Sequence, residues 1–289
     1  MSRFILIGHP VAHSVSPAIH RAAYESLGQP HDYQVVDAPD EQDVRREVQA
    51  LRDGTIAGAN VTVPHKRLAL TLADHLHVSA EQIGAANVLS VNEAGAVVAS
   101  NTDALGLAKV LGELVRGGTR ALVIGNGGAA LACVVACQQL GFAEVLVTAR
   151  AFDARRDPGA WAHAKDFERL GALPVAWLAS NATSLARVAG VELVLQATSA
   201  GMHGADAGEG LAQLVPWSAL ASGSVAYDLV YNPALTPFLR EAEARGLRAE
   251  GGLSMLVAQA QLAIELWLGV LPPAEPLLAA AKLALRGRS

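Results

Sequence analysis

The segment Arg120-Ala121-Leu122-Val123-Ile124-Gly125-Asn126-Gly127-Gly128-Ala129 constrains the fold of this chain more than any other. A short apolar strand runs straight into a glycine-rich turn, and an apolar helical stretch, Ala130 to Leu140, follows at once. Glycines at such a junction leave the helix's first N–H groups bare, and those groups together with the helix dipole hold a pyrophosphate. A bare glycine pattern says little. Here, however, the next strand, Glu144 to Thr148, arrives at the spacing of a strand–helix–strand unit, which implies a parallel sheet. That strand ends in Ala149-Arg150, with no acid to accept from a ribose 2′-hydroxyl. Arg150, with Arg155 and Arg156 after it, suits a 2′-phosphate, and Asp153 lies among them. NADP is therefore expected as cofactor, with NAD left open.

Strand and helix alternate through the rest of the chain, which makes the fold class α/β. Upstream, Phe4 to Ile7 reads as a strand. Ser16-Pro17 reads as an N-cap with proline in the first turn of a helix that Gly28 stops. Tyr33 to Val36 is a strand and Glu41 to Leu51 an amphipathic helix. Ile56 to Val63 reads as a buried strand halted by Pro64. It delivers Asn60, Thr62 and Lys66 to its carboxyl-terminal end, where open α/β sheets place ligands. A carboxamide, a hydroxyl and an ammonium suit a polyhydroxylated anion. Ser14 and Ser16, where a strand meets a helix amino terminus, form an anion site of their own. Ala86 to Val91 is another strand, Asn92 to Gly95 a hairpin turn, and Ala96 to Ala99 the return strand. Asn101-Thr102-Asp103 then leads into a helix, where Asp103 reads equally as an ordinary first-turn acid.

Downstream, a helix is expected over Trp161–Leu170, a strand over Pro174–Leu178 and a helix over Thr183–Ala189. A strand at Leu193–Ala197 opens into Thr198-Ser199-Ala200-Gly201-Met202, a small-residue loop suited to the nicotinamide half of the cofactor. Ser224 to Leu229 is a strand, followed by Tyr231-Asn232-Pro233 and a helix over Pro237–Arg245. Gly251-Gly252 opens a long apolar helix, Leu253 to Leu268, carrying Gln259. Pro272-Pro273 separates it from a last helix, Ala274 to Leu285, and both terminal helices most simply pack back on the first domain.

Composition closes off other classes. A chain of 289 residues with 52% hydrophobic and 17% charged residues has ample core and no disorder signature. A net charge of −5 argues against a nucleic-acid partner. With neither a spanning apolar run nor a secretory h-region, a cytoplasmic protein is expected. No metal site is expected. Cys133 and Cys137, four apart on one helix face, read as small buried hydrophobes, and His75 and His77 lack further ligands. His13, His20 and His65 lie near the polar strand ends but have no partner carboxylate in the sequence. The tryptophans at 161, 177, 217 and 267 read as packing residues.

Taken together, the motifs resemble the shikimate dehydrogenase family, and the resemblance covers almost the whole chain. It rests on Ser14-Val15-Ser16-Pro17, the Asn60–Lys66 run, Gly84-Ala85-Ala86-Asn87, Asn101-Thr102-Asp103 and Gly125–Ala129. It continues in Ala197–Met202, Tyr227–Tyr231 and Gly252–Gln259. The resemblance implies a substrate-binding α/β domain over residues 1–105 and 252–289, and a Rossmann-like NADP-binding domain over 106–251 with the active site in the cleft. It implies that Ser14 and Ser16 bind a substrate carboxylate, and that Asn60, Thr62, Asn87, Asp103 and Gln259 hold ring hydroxyls, with Tyr231 close by. Lys66 and Asp103 become the catalytic pair for reduction of 3-dehydroshikimate. Gly125, Asn126, Gly127, Gly128, Ala129, Arg150, Thr198, Ser199, Met202 and Gly252 are assigned to the cofactor. The chain departs from the family pattern at His9, Val88, Ala104, Asn126 and Ala149. Quinate or an aminated shikimate therefore stays open as substrate, and a non-catalytic ligand-binding protein is a remote alternative. A folate-linked dehydrogenase would leave Ser14 and Ser16 unexplained. A monomer or a homodimer is expected.

Overall fold

The computed structural model describes residues 1–150, 163–176 and 186–287. The chain forms two compact units, Met1–Gly106 with Leu256–Ser289, and Leu107–Met255. The first carries six strands: β1 (Arg3–Gly8), β2 (Asp32–Asp37), β3 (Gly58–Val61), β4 (His75–Leu76), β5 (Val88–Val91) and β6 (Val97–Ser100). Their order is β2-β1-β3-β5-β6-β4. All pairs are parallel except those of β5, which is antiparallel to both β3 and β6. The amino-terminal end of β5 therefore lies beside the carboxyl-terminal ends of β3 and β6.

Helices α1 (Ser16–Ser26), α2 (Glu41–Arg52), α3 (Lys66–Leu72) and α4 (Val78–Ile83) connect these strands, and α5 (Asp103–Leu114) follows β6. Asp40 caps α2 by accepting from Gln42 N and Asp43 N, and Val44, Val48 and Leu51 put an apolar stripe on the core. That stripe joins Ile5, Ile7, Ile56, Leu89 and Val97 in one buried cluster. An aromatic layer of Phe4, His20, Tyr24, Tyr33 and Trp267 also belongs to this unit. Trp267 sits on the terminal helix α10 (Leu253–Leu268), stacks 4.8 Å from Phe4 and donates to Leu89 O at 3.1 Å. Gly58 makes room for it, since a Cβ there would lie 2.4 Å from the indole nitrogen. The last helix, α11 (Ala274–Arg286), packs on α1.

The second unit holds β7 (Arg120–Ile124), β8 (Glu144–Thr148), β9 (Leu173–Pro174), β10 (Leu193–Gln196), β11 (Val225–Asp228) and β12 (Arg248–Gly251). Every pair is parallel and the order is β12-β11-β10-β7-β8-β9, the doubly wound dinucleotide-binding arrangement with its switch point between β7 and β10. Helix α6 (Gly128–Gln139) is buried on all sides over Ala130–Cys137, and α7 (Ala164–Arg169), α8 (Glu209–Leu214) and α9 (Pro237–Ala244) also belong to this unit. Cys133 and Cys137 are both buried. Among the described residues no helix is long and apolar enough to cross a membrane, and no cluster of His, Cys, Asp or Glu could hold a metal ion.

Several expectations need correction. Ser16 is not the N-cap of α1. Val15 occupies that position in helical geometry, because Ser14 Oγ already accepts from Ser16 N at 3.2 Å. The strand expected over 56–63 is Gly58–Val61 only: Thr62 N still donates to Ile7 O at 2.8 Å, but Val63 points into solvent. Strands β4 and β12 and helix α8 were not expected. Each is short, and the Arg-Ala-Glu-Gly of β12 has no apolar alternation because it forms a sheet edge. Helix starts at Trp161 and Thr183, the end of a strand at Leu178, and Trp177, Asp153, Arg155 and Arg156 lie outside the described residues.

Candidate active site

The reversed strand β5 assembles the polar cluster of the first unit. Asn87, just before β5, lies between the last residue of β3, Val61, and the last residue of β6, Ser100. Its carbonyl accepts from Val61 N at 2.9 Å, and its N–H donates to Ser100 O at 3.1 Å. Lys66 opens α3 and Asp103 opens α5, so each arrives one short loop beyond a strand end. The Lys66 ammonium meets Asp103 Oδ2 at 2.6 Å, with 29% and 17% of the two side chains exposed. The pair is thus shielded yet reachable. Asn87 Nδ2 donates to the other carboxylate oxygen at 2.8 Å and to Thr102 Oγ1 at 3.0 Å, while Asn87 Oδ1 accepts from Thr102 N at 2.8 Å. Asn101 Oδ1 accepts from Asp103 N at 2.9 Å, anchoring the first turn of α5. Gln259 on α10 reaches the same group, 3.4 Å from Asn87 Nδ2. Its approach depends on Gly106, where a Cβ would stand 2.9 Å from Gln259 N.

Asn60, from β3, is buried and holds its carboxamide in one sense. Tyr33 Oη donates to its Oδ1 at 2.7 Å, and its Nδ2 donates to Asn87 O at 3.3 Å. Tyr33 in turn stacks on His20, ring centroids 3.8 Å apart. Complete burial pushes the His20 imidazole down to about 3, so the ring is neutral. Thr62 packs against Gly8, where any side chain would collide with its Cγ2. Ser14 Oγ donates to Ser16 Oγ at 3.1 Å, a hydroxyl pair at the amino end of α1. His65 is buried, its Nε2 2.7 Å from Ala38 O, and acts in packing rather than at the pair. Of the expected substrate residues of this unit, Lys66, Asn87, Asp103 and Gln259 share one hydrogen-bonded network, and Asn60 joins it through Asn87. Ser14 with Ser16 forms a separate pair. Sequence reading missed the role of Tyr33, because nothing in the pattern of β2 names its partner on β3.

In the second unit the glycine turn lies at the switch point. Gly125 has φ of 137° and its α-carbon faces Ala197, where a Cβ would be 3.0 Å from the carbonyl oxygen. A Cβ at Gly127 or Gly128 would meet nothing within 4 Å, and the first turn of α6 carries no acid. An open backbone surface with unbonded helix N–H groups and no opposing carboxylate fits a dinucleotide pyrophosphate. Arg150, just past β8, is exposed and stands 3.8 Å from Asp206. Thr198, Ser199 and Met202 lie on the loop after β10: Thr198 Oγ1 accepts from Ala200 N at 3.1 Å, and Met202 N donates to Ser199 O at 3.1 Å. Tyr231 follows β11 in this same unit. Gly252 has a packing reason of its own, since a Cβ would lie 2.1 Å from Leu229 O.

Sheet order, glycine turn and lysine–carboxylate pair define an α/β protein of dinucleotide-binding type that handles a proton at a polar site. Residues 6–89 match the family model described as shikimate dehydrogenase substrate binding domain, and residues 252–282 that of the shikimate 5′-dehydrogenase C-terminal domain. A shikimate dehydrogenase (NADP(+)) of Geobacter sulfurreducens is 38% identical over 275 residues, 93% of this chain and 91% of that protein. One of Thermus thermophilus is 38% identical over 288 residues, 99% of each. The crystal structure of shikimate 5-dehydrogenase from Thermus thermophilus, in complex with NADP(H) and shikimate, superposes with a TM-score of 0.82 at 35% identity. The match covers 99% of this chain and 100% of that one. The chain belongs to the shikimate dehydrogenase family.

Proposed function

We propose that this protein catalyses the reversible, NADP-dependent reduction of 3-dehydroshikimate to shikimate. The observation that carries the reading is the Lys66–Asp103 pair, 2.6 Å apart and fixed from behind by Asn87. Reducing a ring carbonyl leaves an alkoxide, which needs a proton or a positive charge at that oxygen. Lys66 supplies either, and Asp103 orients the ammonium and accepts from the same hydroxyl region. The remaining polar residues of the first unit recognise the ring. Ser14 and Ser16 donate to the carboxylate, and Asn60, Thr62, Asn87 and Gln259 hold hydroxyls. Tyr231 adds a contact to the substrate.

The second unit holds the cofactor. Gly125, Asn126, Gly127, Gly128 and Ala129 cradle the pyrophosphate. Arg150 takes the 2′-phosphate, and Thr198, Ser199, Met202 and Gly252 border the nicotinamide side. The bound nicotinamide is the hydride carrier, and the protein's part is alignment and control of the proton.

Initial rates of oxidation of shikimate and of quinate, each with NADP and with NAD, test the reading. Shikimate with NADP should dominate, and Lys66→Ala should lose roughly 10²–10⁴-fold in kcat, the usual contribution of a positioned acid–base group. Efficient quinate turnover or a preference for NAD would move the substrate or cofactor assignment. Absence of turnover with either acid would end it.

A further inference from the structure

Asp228 is fully buried at the end of β11, and each group that bonds it is a neutral donor. Its Oδ1 accepts from Val230 N at 2.9 Å and its Oδ2 from Thr236 Oγ1 at 2.6 Å. The Gln196 carboxamide also bonds the carboxylate, from the end of β10. Val230 precedes Tyr231, and Thr236 caps α9 by accepting from Leu239 N, so these two bonds bracket the Tyr231-Asn232-Pro233 turn. Gln196, itself fully buried, turns the other way as well. Its Nε2 donates to Ala200 O at 2.9 Å and its Oε1 accepts from Thr198 N, so it sets the loop bearing Thr198, Ser199 and Met202. The two loops also meet directly, where His203 N donates to Asn232 O at 3.1 Å.

We propose that Asp228 is a positioning residue for the redox reaction: one buried carboxylate fixes the Tyr231 loop and, through Gln196, the Thr198–Met202 loop. The proposal rests on the function given above, in which Tyr231 serves the ring acid and Thr198, Ser199 and Met202 serve the cofactor. An acceptor with no hydrogen of its own suits this position, because all three neighbours donate. Protonation puts a hydrogen where a donor already points. Burial raises the carboxyl to about 6, against the opposing effect of the Thr236, Val230 and Gln196 bonds. The ionised form that organises the loops is therefore held at a cost in stability. For an acid raised in this way, stability is fully present at low pH and is lost as pH rises through roughly 4 to 6.

The test is Asp228→Asn, which keeps the shape and removes the charge. At pH 8 it should lower kcat at least tenfold and raise the KM values for shikimate and NADP together, whereas Tyr231→Phe raises only the first. The melting temperature of Asp228→Asn relative to wild type should climb between pH 5 and pH 8, so that stability and activity move in opposite directions. Thr236→Val removes one donor and should reproduce the kinetic loss, and Thr236→Ser should restore it. This second pair decides the matter if Asp228→Asn does not fold. Unchanged kinetics, or a loss of activity with a melting-temperature difference from wild type that stays constant between pH 5 and pH 8, overturns the proposal. Wild-type protein with no NADP-dependent shikimate oxidation overturns the functional reading instead, independently of the variants.

Discussion

Tyr33 determines what Asn60 offers to a ligand. With Oδ1 engaged by the phenol and Nδ2 donating to Asn87 O, the carboxamide is held in one orientation. Tyr33→Phe should raise the KM for shikimate about five- to tenfold with little change in kcat, the equivalent of one hydrogen bond of about 1 kcal/mol. In an Asn60→Ala background the same change should have no further effect, which steady-state kinetics on the double variant would show. Behind Tyr33, His20 is completely buried. A histidine whose folded pKa lies below its unfolded value contributes stability above the unfolded pKa and loses it as pH falls. From an ordinary value near 6.5 to about 3, the window opens below pH 6.5. Relative to His20→Phe, wild type should lose about 2 kcal/mol between pH 7 and pH 5 in urea titrations. Neither role was legible in the sequence, because Tyr33 and Asn60 are 27 residues apart and only strand order brings them together, with His20 stacked behind.

At the scale of elements, Gly106 lets α5 and α10 approach closely enough for Gln259 to reach Asn87. Gly106→Ala places a methyl 2.9 Å from Gln259 N, and overpacking of that kind should cost about 1–3 kcal/mol in chemical denaturation and raise the shikimate KM. The long periodic or continuously apolar elements were readable: α2, α6, β7, β8 and both terminal helices fall where the pattern puts them. The misses share a physical cause. The strand β12 is a polar edge with no alternation, β4 has only two residues, and the start of α1 was misplaced because Ser14, two residues upstream, supplies the acceptor credited to Ser16. Candidate residues such as Asn60, Lys66, Asn87 and Asp103 were legible as polar side chains at or just beyond strand ends. Which of them touch was not, because that depends on the direction of β5.

For the molecule as a whole, a ligand confined to the folded state stabilises by mass action. NADP at about a hundredfold excess over its Kd should add about 2.7 kcal/mol, read as an upward shift in melting temperature. NAD at equal concentration should give less. Arg150→Ala should bring the two shifts together while leaving the shikimate-induced shift in place, since Arg150 and the first unit's polar cluster belong to separate compact units.

The hairpin of β5 and β6 has its two open ends at Asn87 and at Asn101-Thr102-Asp103, and its turn, Asn92–Gly95, at the opposite extremity. Its length in residue pairs is therefore a ruler that sets Asn87 against Asp103. Gene-level insertions should be sorted by that ruler. Extra residues spliced between Asn92 and Gly95 leave both ends in place, so the turn can accept an epitope or a small domain without loss of turnover. A single residue added within β5 or β6 shifts every later side chain to the opposite face and parts Asn87 from Asp103. The tip of this hairpin is where the chain can lengthen freely, and its two rails are where it cannot.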